Sequence, residues 1–145
     1  MNIFCDTNVL VAACAETHIH HTRAAPTVAR VVTGEDKGFC GMHSIAEVFS
    51  TLTRMPLHPR IHPAEAVRLM AHNILGSFEA IPLTKDDYVA VLETMVSGSW
   101  RGGKIYDALL LRCAEKSGAE RIYTFNLADF QQMASPALRA KICAP

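Results

Sequence analysis

Three acidic side chains occupy positions in the sequence where a carboxylate could do chemistry. Asp6 directly follows the apolar run of residues 2–5, and Asp129 follows a second apolar run, residues 121–125. Asp107 lies in a segment that is apolar nearly all round a helix, which is typical of a buried helix. An ionised carboxylate in such a place is costly unless it is paired or bound to a cation, which favours a functional role for Asp107. For Asp129, a role as a capping or turn acid stays equally open.

Glu47 is a fourth candidate, but its helical pattern predicts a different environment. The apolar side chains of residues 45–52 define one arc of a helix at about 100° per residue, and Glu47 lies opposite that arc. Periodicity alone therefore predicts that Glu47 is an acid on a solvated helix face.

Carboxylates that converge on one site repel one another unless a divalent cation neutralises them. A site with oxygen ligands only, without a companion His or Cys, favours Mg²⁺ or Mn²⁺ over zinc. Such a cation activates a water molecule and stabilises the charge that develops on a phosphodiester. The acids therefore point to hydrolytic nuclease chemistry.

The elements that would carry these acids alternate along the chain. Short apolar runs predict strands, and stretches with apolar residues at helical spacing predict helices between them. This alternation is typical of a parallel sheet covered by helices on both faces. In such sheets ligands bind beyond the carboxyl ends of the strands, where Asp6 lies. The predicted strands cover residues 2–5, 38–42, 78–83, 121–125 and 141–143.

Capping residues and glycines indicate where the helices begin and end. Ser44 is placed to cap the helix that contains Glu47, and Thr84 is placed to cap the helix after the third strand. Gly118 is placed to end the helix that contains Asp107.

The composition is that of a globular chain without a basic nucleic-acid arm. The 145 residues are 50% hydrophobic and include 14 basic and 14 acidic side chains, so the formal net charge is zero. A nucleic-acid partner must then be held by local basic groups or bound cations, because net charge supplies no long-range attraction. No linker or repeat divides the chain, so we expect one domain over residues 1–145.

The cysteines and the hydropathy pattern favour a reducing compartment. The five cysteines are widely spaced among apolar neighbours without a CxxC pair, which predicts small reduced core residues. The sequence has no secretory leader pattern and no apolar run of about 18 residues. We therefore expect no membrane segment and a cytoplasmic location.

A glycine-rich loop, residues 97–104, precedes one of the predicted helices. It matches GxxxxGK, but Ile105 stands where a phosphate-binding P-loop needs Ser or Thr, which argues against nucleoside triphosphate binding. Contact with RNA suits the loop better, with Arg101 and Lys104 on phosphates and Trp100 available for base stacking. An ordinary mobile loop whose tryptophan packs locally is the alternative.

Four segments together resemble a known family. They are FCDTNVL around Asp6, SIAEVFSTL around Glu47, GGKIYDALLL around Asp107 and TFNLADF around Asn126 and Asp129. In their order and spacing they resemble the PIN-domain proteins, and most of all the VapC-type toxin ribonucleases. The resemblance implies a three-layer α/β/α domain with a central parallel sheet of four or five strands. It also implies an acidic pocket that binds Mg²⁺ or Mn²⁺ and cleaves RNA.

The family's motifs imply a role for each acid. Asp6, Glu47 and Asp107 match the three acidic catalytic positions, and Asp129 is assigned the fourth. Asp6 and Asp107 would hold the principal cation. Glu47 and Asp129 would complete the cluster or orient the attacking water.

Three polar residues are expected to support these acids. Many members of the family have an acid at the position of Asn126, and here we assign the amide to orienting substrate or water. Thr7 and Thr124 carry hydroxyls near predicted strand ends and are expected to support the site. The alternative for both is a cap or turn role, which is common for threonine at strand ends.

The resemblance also implies partners and products. It implies a homodimer, inhibition by a cognate small antitoxin whose C-terminal segment occupies the acidic groove, RNA loops such as those of tRNA or rRNA as substrates, and products with a 5′-phosphate and a 3′-hydroxyl. Two alternatives stay open. One is a PIN-domain nuclease that processes RNA outside a toxin pair, and the other is a catalytically silent module that binds RNA or a protein.

Overall fold

Five short strands form the centre of the protein, for which a computed structural model describes all of residues 1–145. They pair in parallel throughout, in the order β3-β2-β1-β4-β5. All five predicted strands are present, and three of them are shorter than predicted. The strands are β1 (Asn2–Cys5), β2 (Lys37–Gly41), β3 (Phe78–Ile81), β4 (Arg121–Tyr123) and β5 (Ile142–Cys143).

Eight helices connect and cover these strands. A π-helical turn, Ala71–Leu75, continues the fourth of them. The last helix has four residues, and the apolar pattern of the sequence does not predict it. The helices are α1 (Thr7–Cys14), α2 (His21–Val32), α3 (Met42–Arg54), α4 (Pro63–Met70), α5 (Lys85–Gly98), α6 (Lys104–Ser117), α7 (Leu127–Met133) and α8 (Pro136–Arg139).

Alternate side chains of β1 enter two separate hydrophobic clusters. Ile3 and Cys5 pack with residues of α1, α2, α3 and α4 on one face of the sheet. Phe4 packs with residues of α6 and α7 on the other face. Because helices cover both faces, the predicted three-layer α/β/α arrangement with a parallel sheet is confirmed.

Two of the predicted helix ends are confirmed and one is wrong. Thr84 caps α5 in a reciprocal capping box with Asp87, and Gly118 ends α6 in the left-handed conformation at a φ of 67°. Ser44, in contrast, does not cap its helix. The chain passes from β2 directly into α3 at Met42, so Ser44 lies inside the first turn.

The cysteines and the helices also agree with the sequence pattern. All five cysteines are free, and only Cys143 is not fully buried. Burial raises the pKa of Cys14 to about 11 and that of Cys40 and of Cys113 to about 12, so these thiols stay protonated at neutral pH. Among the helices, none has both the length and the apolar character that crossing a membrane requires.

The strand order determines where a ligand site lies. From β1 the chain adds β2 and β3 on one side of the sheet, and it then returns to add β4 and β5 on the other side. In open α/β sheets such a reversal leaves a crevice at the carboxyl ends of the two central strands. Asp6 directly follows β1 and Thr124 directly follows β4, so both lie at this crevice.

Candidate active site

A hydrogen bond between side chains joins the carboxyl ends of β1 and β4. Thr124 Oγ1 donates to Asp6 Oδ2 at 2.6 Å, and both side chains are buried, with 4% of Asp6 exposed. The same Thr124 oxygen accepts a hydrogen bond from the backbone N–H of Asn126 at 2.9 Å. Thr124 therefore fixes both the carboxylate of Asp6 and the turn that follows β4.

Asn126 extends this connection to Asp107. Asp107 lies in the first turn of α6 and is half-buried, and Asn126 Nδ2 donates to Asp107 Oδ2 at 3.0 Å. Asn126 occupies the N-cap position of α7, but its side chain makes no capping hydrogen bond. The amide is therefore available to orient the acid.

Asp129 is paired with a lysine of the neighbouring helix. It lies in the first turn of α7, where its carboxylate forms a salt bridge with the ammonium of Lys104 at the start of α6. The hydrogen bond from Lys104, and after it one from Asn126, holds the pKa of Asp129 below its usual range. The charge of Asp129 in turn raises the pKa of Asp107, which places Asp129 beside the other acids.

Glu47 lies on α3 with its side chain 36% exposed. Its negative charge adds, as a lesser cause than burial, to the raised pKa of Asp6 and of Asp107. The solvated face that periodicity predicted is thus the helix face next to the crevice. His43, one helical turn earlier, has its Nε2 at 3.6 Å from Glu47 Oε1, and that nitrogen is buried without a hydrogen-bond partner.

Positive charge compensates the acids at the crevice only in part, because Lys104 is paired with Asp129 and lowers the pKa of Asp107 by less than burial raises it. The pKa of Asp6 is raised to about 7, first by burial of the carboxylate and then by the charges of Asp107 and Glu47, although the hydrogen bond from Thr124 lowers it. The pKa of Asp107 is also raised, first by burial and then by Asp129. Burial and mutual repulsion therefore both favour the protonated forms of Asp6 and Asp107.

Thr7 and Asn8 make hydrogen bonds that the sequence did not predict. Thr7 Oγ1 donates to Ser44 Oγ at 2.8 Å, which ties the start of α1 to α3. Asn8 Oδ1 accepts the backbone N–H of Phe125 at 3.2 Å, and so holds the chain after β4. The sequence offers one signal for Asn8, its position two residues beyond Asp6, because its hydrogen-bond partner Phe125 is far away in the sequence.

The glycine-rich loop contributes one side chain to the acids. Lys104 reaches Asp129, whereas Arg101 is exposed. Trp100 is half-buried against the cluster formed by α5 and α6, and it lies over Gly98, where a side chain would collide with the indole. Local packing therefore describes Trp100, and RNA contact by these three residues stays a prediction.

The four acids do not form a ready-made metal centre. No group of three His, Cys, Asp or Glu side chains has the spacing needed to hold a metal ion. The available donors are nevertheless all carboxylate and amide oxygens, as Mg²⁺ and Mn²⁺ prefer. Since like charges repel, a cation would have to draw these carboxylates together.

Comparisons with known proteins agree with this geometry. A family model described as PIN domain matches residues 3–136. Ribonuclease VapC27 of Mycobacterium tuberculosis (strain ATCC 25618 / H37Rv) is 30% identical over 115 residues, which cover 79% of this chain and 78% of that protein. Ribonuclease VapC40 of Mycobacterium tuberculosis (strain CDC 1551 / Oshkosh) is 31% identical over 119 residues, which cover 79% of this chain and 80% of that protein.

A solved structure shares the fold. The crystal structure of Mycobacterium tuberculosis VapC20, a sarcin-ricin loop cleaving toxin, superposes with a TM-score of 0.65 at 22% sequence identity, over 86% of this chain and 89% of that one. Its low identity supports the fold alone. Together with the family match over most of the chain and the two ribonuclease relatives, the acids at the switch point of the sheet lead to one conclusion: the protein belongs to the PIN-domain family, among the VapC-type toxin ribonucleases.

Proposed function

We propose that the protein is an endoribonuclease that depends on Mg²⁺ or Mn²⁺ and acts as the toxin of a bacterial toxin–antitoxin pair. It hydrolyses phosphodiester bonds in structured or single-stranded RNA, such as the loops of tRNA or rRNA. Family membership supports the ribonuclease activity. The cation and the residue roles are supported by the chemistry of the site.

The observation that carries this proposal is the unbalanced charge at the carboxyl ends of β1 and β4. Asp6 is buried, has a pKa raised to about 7, and lies near Asp107 and Glu47. Its one side-chain hydrogen-bond donor is the neutral hydroxyl of Thr124, and Asp107 receives only an amide. Each unpaired carboxylate in such a place costs folding free energy, which favours a functional role for these acids.

In this proposal Asp6 and Asp107 hold the principal cation. The cation, when bound, activates water and offsets the negative charge that develops on the phosphodiester. Thr124 and Asn126 orient the two carboxylates through the hydrogen bonds described above. Thr7 supports the start of α1 through Ser44.

Glu47 and Asp129 border the same space and have different surroundings. Glu47 has only His43 beside it, and burial lowers the pKa of that imidazole, so the carboxylate of Glu47 is free to complete the cation site or to orient water. Asp129 is paired with Lys104, so its carboxylate is less available than that of Glu47 to bind a cation. We assign Asp129 to orienting water together with Asn126, and Lys104 and Arg101 to holding RNA phosphates.

The proposed partners follow from family membership. A small antitoxin would occupy the acidic groove and stop cleavage, and the toxin would act as a homodimer in the cytoplasm. Trp100 would border the RNA at the edge of the loop. The products would carry a 5′-phosphate and a 3′-hydroxyl, because water would add to the phosphorus as the bond to the 3′ oxygen breaks and that oxygen takes up a proton.

Cleavage of total cellular RNA tests the proposal. Purified protein would be incubated with RNA in Mg²⁺, in Mn²⁺ and in EDTA, beside Asp6→Asn and Asp107→Asn. Glu93→Gln, which removes an exposed acid of α5, is the matched control. We expect discrete 5′-phosphate fragments that need a divalent cation, survive in Glu93→Gln and disappear in both site variants.

Three other outcomes would change the assignment. Folded, antitoxin-free protein that binds RNA without cutting it in any cation would be a binding module. Cleavage that continues in EDTA would refute the cation dependence. Cleavage that harms no cells on expression would point to an RNA-processing nuclease outside a toxin pair.

A further inference from the structure

An aromatic stack borders the acids at the end of β4. Phe125 lies between Thr124 and Asn126, the two residues that bond to Asp6 and Asp107. Its ring is stacked on the imidazole of His20, with the ring centroids 4.3 Å apart and the planes 18° from parallel. The guanidinium of Arg23 lies 5.4 Å from the centroid of the same ring.

Several hydrogen bonds hold this stack in place. The backbone N–H of Phe125 donates to Asn8 Oδ1 at 3.2 Å, next to the site. On the other side, the backbone N–H of His20 donates to His18 Nδ1 at 3.0 Å. A ring nitrogen of His21 is 2.9 Å from the carbonyl oxygen of Ala12. The loop that carries His20 is therefore tied to both α1 and α2.

The stack is accessible to a ligand. Phe125 packs on the core on one side and is half-buried, His20 is half-buried, and Arg23 is exposed. The neighbouring Ile19 exposes 85% of its surface. Arg23 uses one hydrogen bond, to the backbone oxygen of Pro145 at 3.3 Å, and a guanidinium has five N–H donors. Most of its donors therefore remain free for another partner.

We propose that His20, Arg23 and Phe125 form a platform that binds an unpaired nucleobase of RNA beside the scissile phosphodiester. The proposal rests on the ribonuclease function and names how that site selects its substrate. Proteins recognise unpaired RNA by stacking bases on Phe, His and Arg side chains, and this chain presents all three in one stack. Because its net charge is zero, its RNA affinity must come from local contacts of this kind.

The charge arrangement favours a nucleotide over an acidic or purely apolar partner. Arg23 places a positive charge over the ring of Phe125, so a phosphate next to the stacked base gains a guanidinium partner. The base itself is neutral and does not meet the repulsion of Asp6 and Asp107. The platform would thus hold the unpaired nucleotide on one side of the acids, while Lys104 and Arg101 hold phosphates on the other.

Binding of an uncut RNA tests the platform independently of cleavage. Asp6→Asn protein would be titrated with a short single-stranded RNA that carries 2-aminopurine, whose fluorescence falls when the base stacks. His20→Leu and Arg23→Met would be added separately to this background. Arg60→Met, which removes an equal charge from an exposed arginine between α3 and α4, is the matched control.

We expect His20→Leu and Arg23→Met each to weaken binding by about tenfold and to reduce the quenching, since base stacking on a side chain contributes on that scale. Arg60→Met should change binding less than twofold. In protein with Asp6 intact, the platform variants should raise KM and leave kcat largely unchanged. A thermal midpoint close to that of the parent would show that each variant is folded.

The other outcomes refute the platform. Equal weakening in Arg60→Met and Arg23→Met would mean that only general charge matters, and unchanged quenching in His20→Leu would mean that no base stacks there. Failure of the parent protein to bind the RNA would also reject it. Cleavage by the intact protein with normal KM in both platform variants would refute the platform while leaving the ribonuclease function in place.

Discussion

Replacing Asp6 with asparagine should stabilise the metal-free protein, and more so as the pH rises. Asparagine has nearly the same shape, and its Oδ1 can still accept the hydrogen bond from Thr124. It removes the buried negative charge and the repulsion from Asp107 and Glu47. The variant that abolishes the chemistry should therefore be the more stable protein.

The magnitude follows from the pKa. In the native protein the pKa of Asp6 is raised from 3.8 to about 7, chiefly by burial. Between these values the native state keeps a proton that the unfolded chain has lost, so stability falls as the pH rises through this window. The cost is absent below the lower pKa and complete above the higher one. At about 1.36 kcal/mol per pKa unit, this cost in stability reaches about 4 kcal/mol.

Urea unfolding in EDTA at several pH values between 5 and 8 would measure this effect. From pH 5 to pH 8 the wild type should lose about 2 to 3 kcal/mol more stability than Asp6→Asn. Glu93→Gln, an exposed control, should follow the wild type. Addition of Mg²⁺ should stabilise the wild type and not Asp6→Asn, because a ligand of the native state raises its stability. Parallel pH profiles for wild type and Asp6→Asn would refute a raised pKa.

Three further variants probe other parts of the structure. Thr124→Val removes the hydrogen-bond donor to Asp6 and should lower the free energy of unfolding by about 2 kcal/mol, because the bond is made to a carboxylate. It should also move the acid limb of the pH–rate profile to higher pH. Thr124→Ser should restore both the stability and the profile. Changing Arg101 and Lys104 to Ala should lower the slope of log affinity against log salt by about one for each lost phosphate contact, and an unchanged slope would remove them from the RNA interface. Asp87 has its pKa depressed first by Lys116, so its stabilising contribution is present above pH 4 and is lost as the pH falls below it. Asp87→Asn should therefore lower the thermal midpoint by more at pH 7 than near pH 2, which melting curves at both pH values would show.

The fold was predictable because its signals are local. Continuous apolar runs mark strands that are buried on both faces, and the capping box of Thr84 and Asp87 marks a helix start within four residues. The exceptions have local causes too. Helix α8 has only four residues, too few for a periodic pattern, and Ser44 was misplaced because β2 runs into α3 without a turn.

The site was predictable only in part, because its contacts are distant in sequence. Asp6 was found from its place at a strand end and Asp107 from its apolar helix. The bond from Thr124 to Asp6 spans 118 positions, and no pattern in one sequence reports it. Periodicity placed Glu47 on a polar helix face but could not show that this face borders the crevice, because a helix face turned to an acidic crevice is as polar as one turned to solvent. That distinction depends on the neighbouring elements, which only the fold supplies.

The charges of the site explain how a neutral protein can attract RNA. Lys104 balances Asp129, which leaves Asp6, Glu47 and Asp107 without a strong cationic partner. In that state the crevice repels a phosphodiester, and protonation of Asp6 near neutral pH relieves only one of the three charges. A divalent cation would offset two of these three charges and would add a ligand position for phosphate. Cation and RNA should therefore strengthen each other's binding by the same factor, as thermodynamic linkage requires. The acids therefore weaken RNA binding in the cation-free wild-type protein, and a bound cation would remove that penalty.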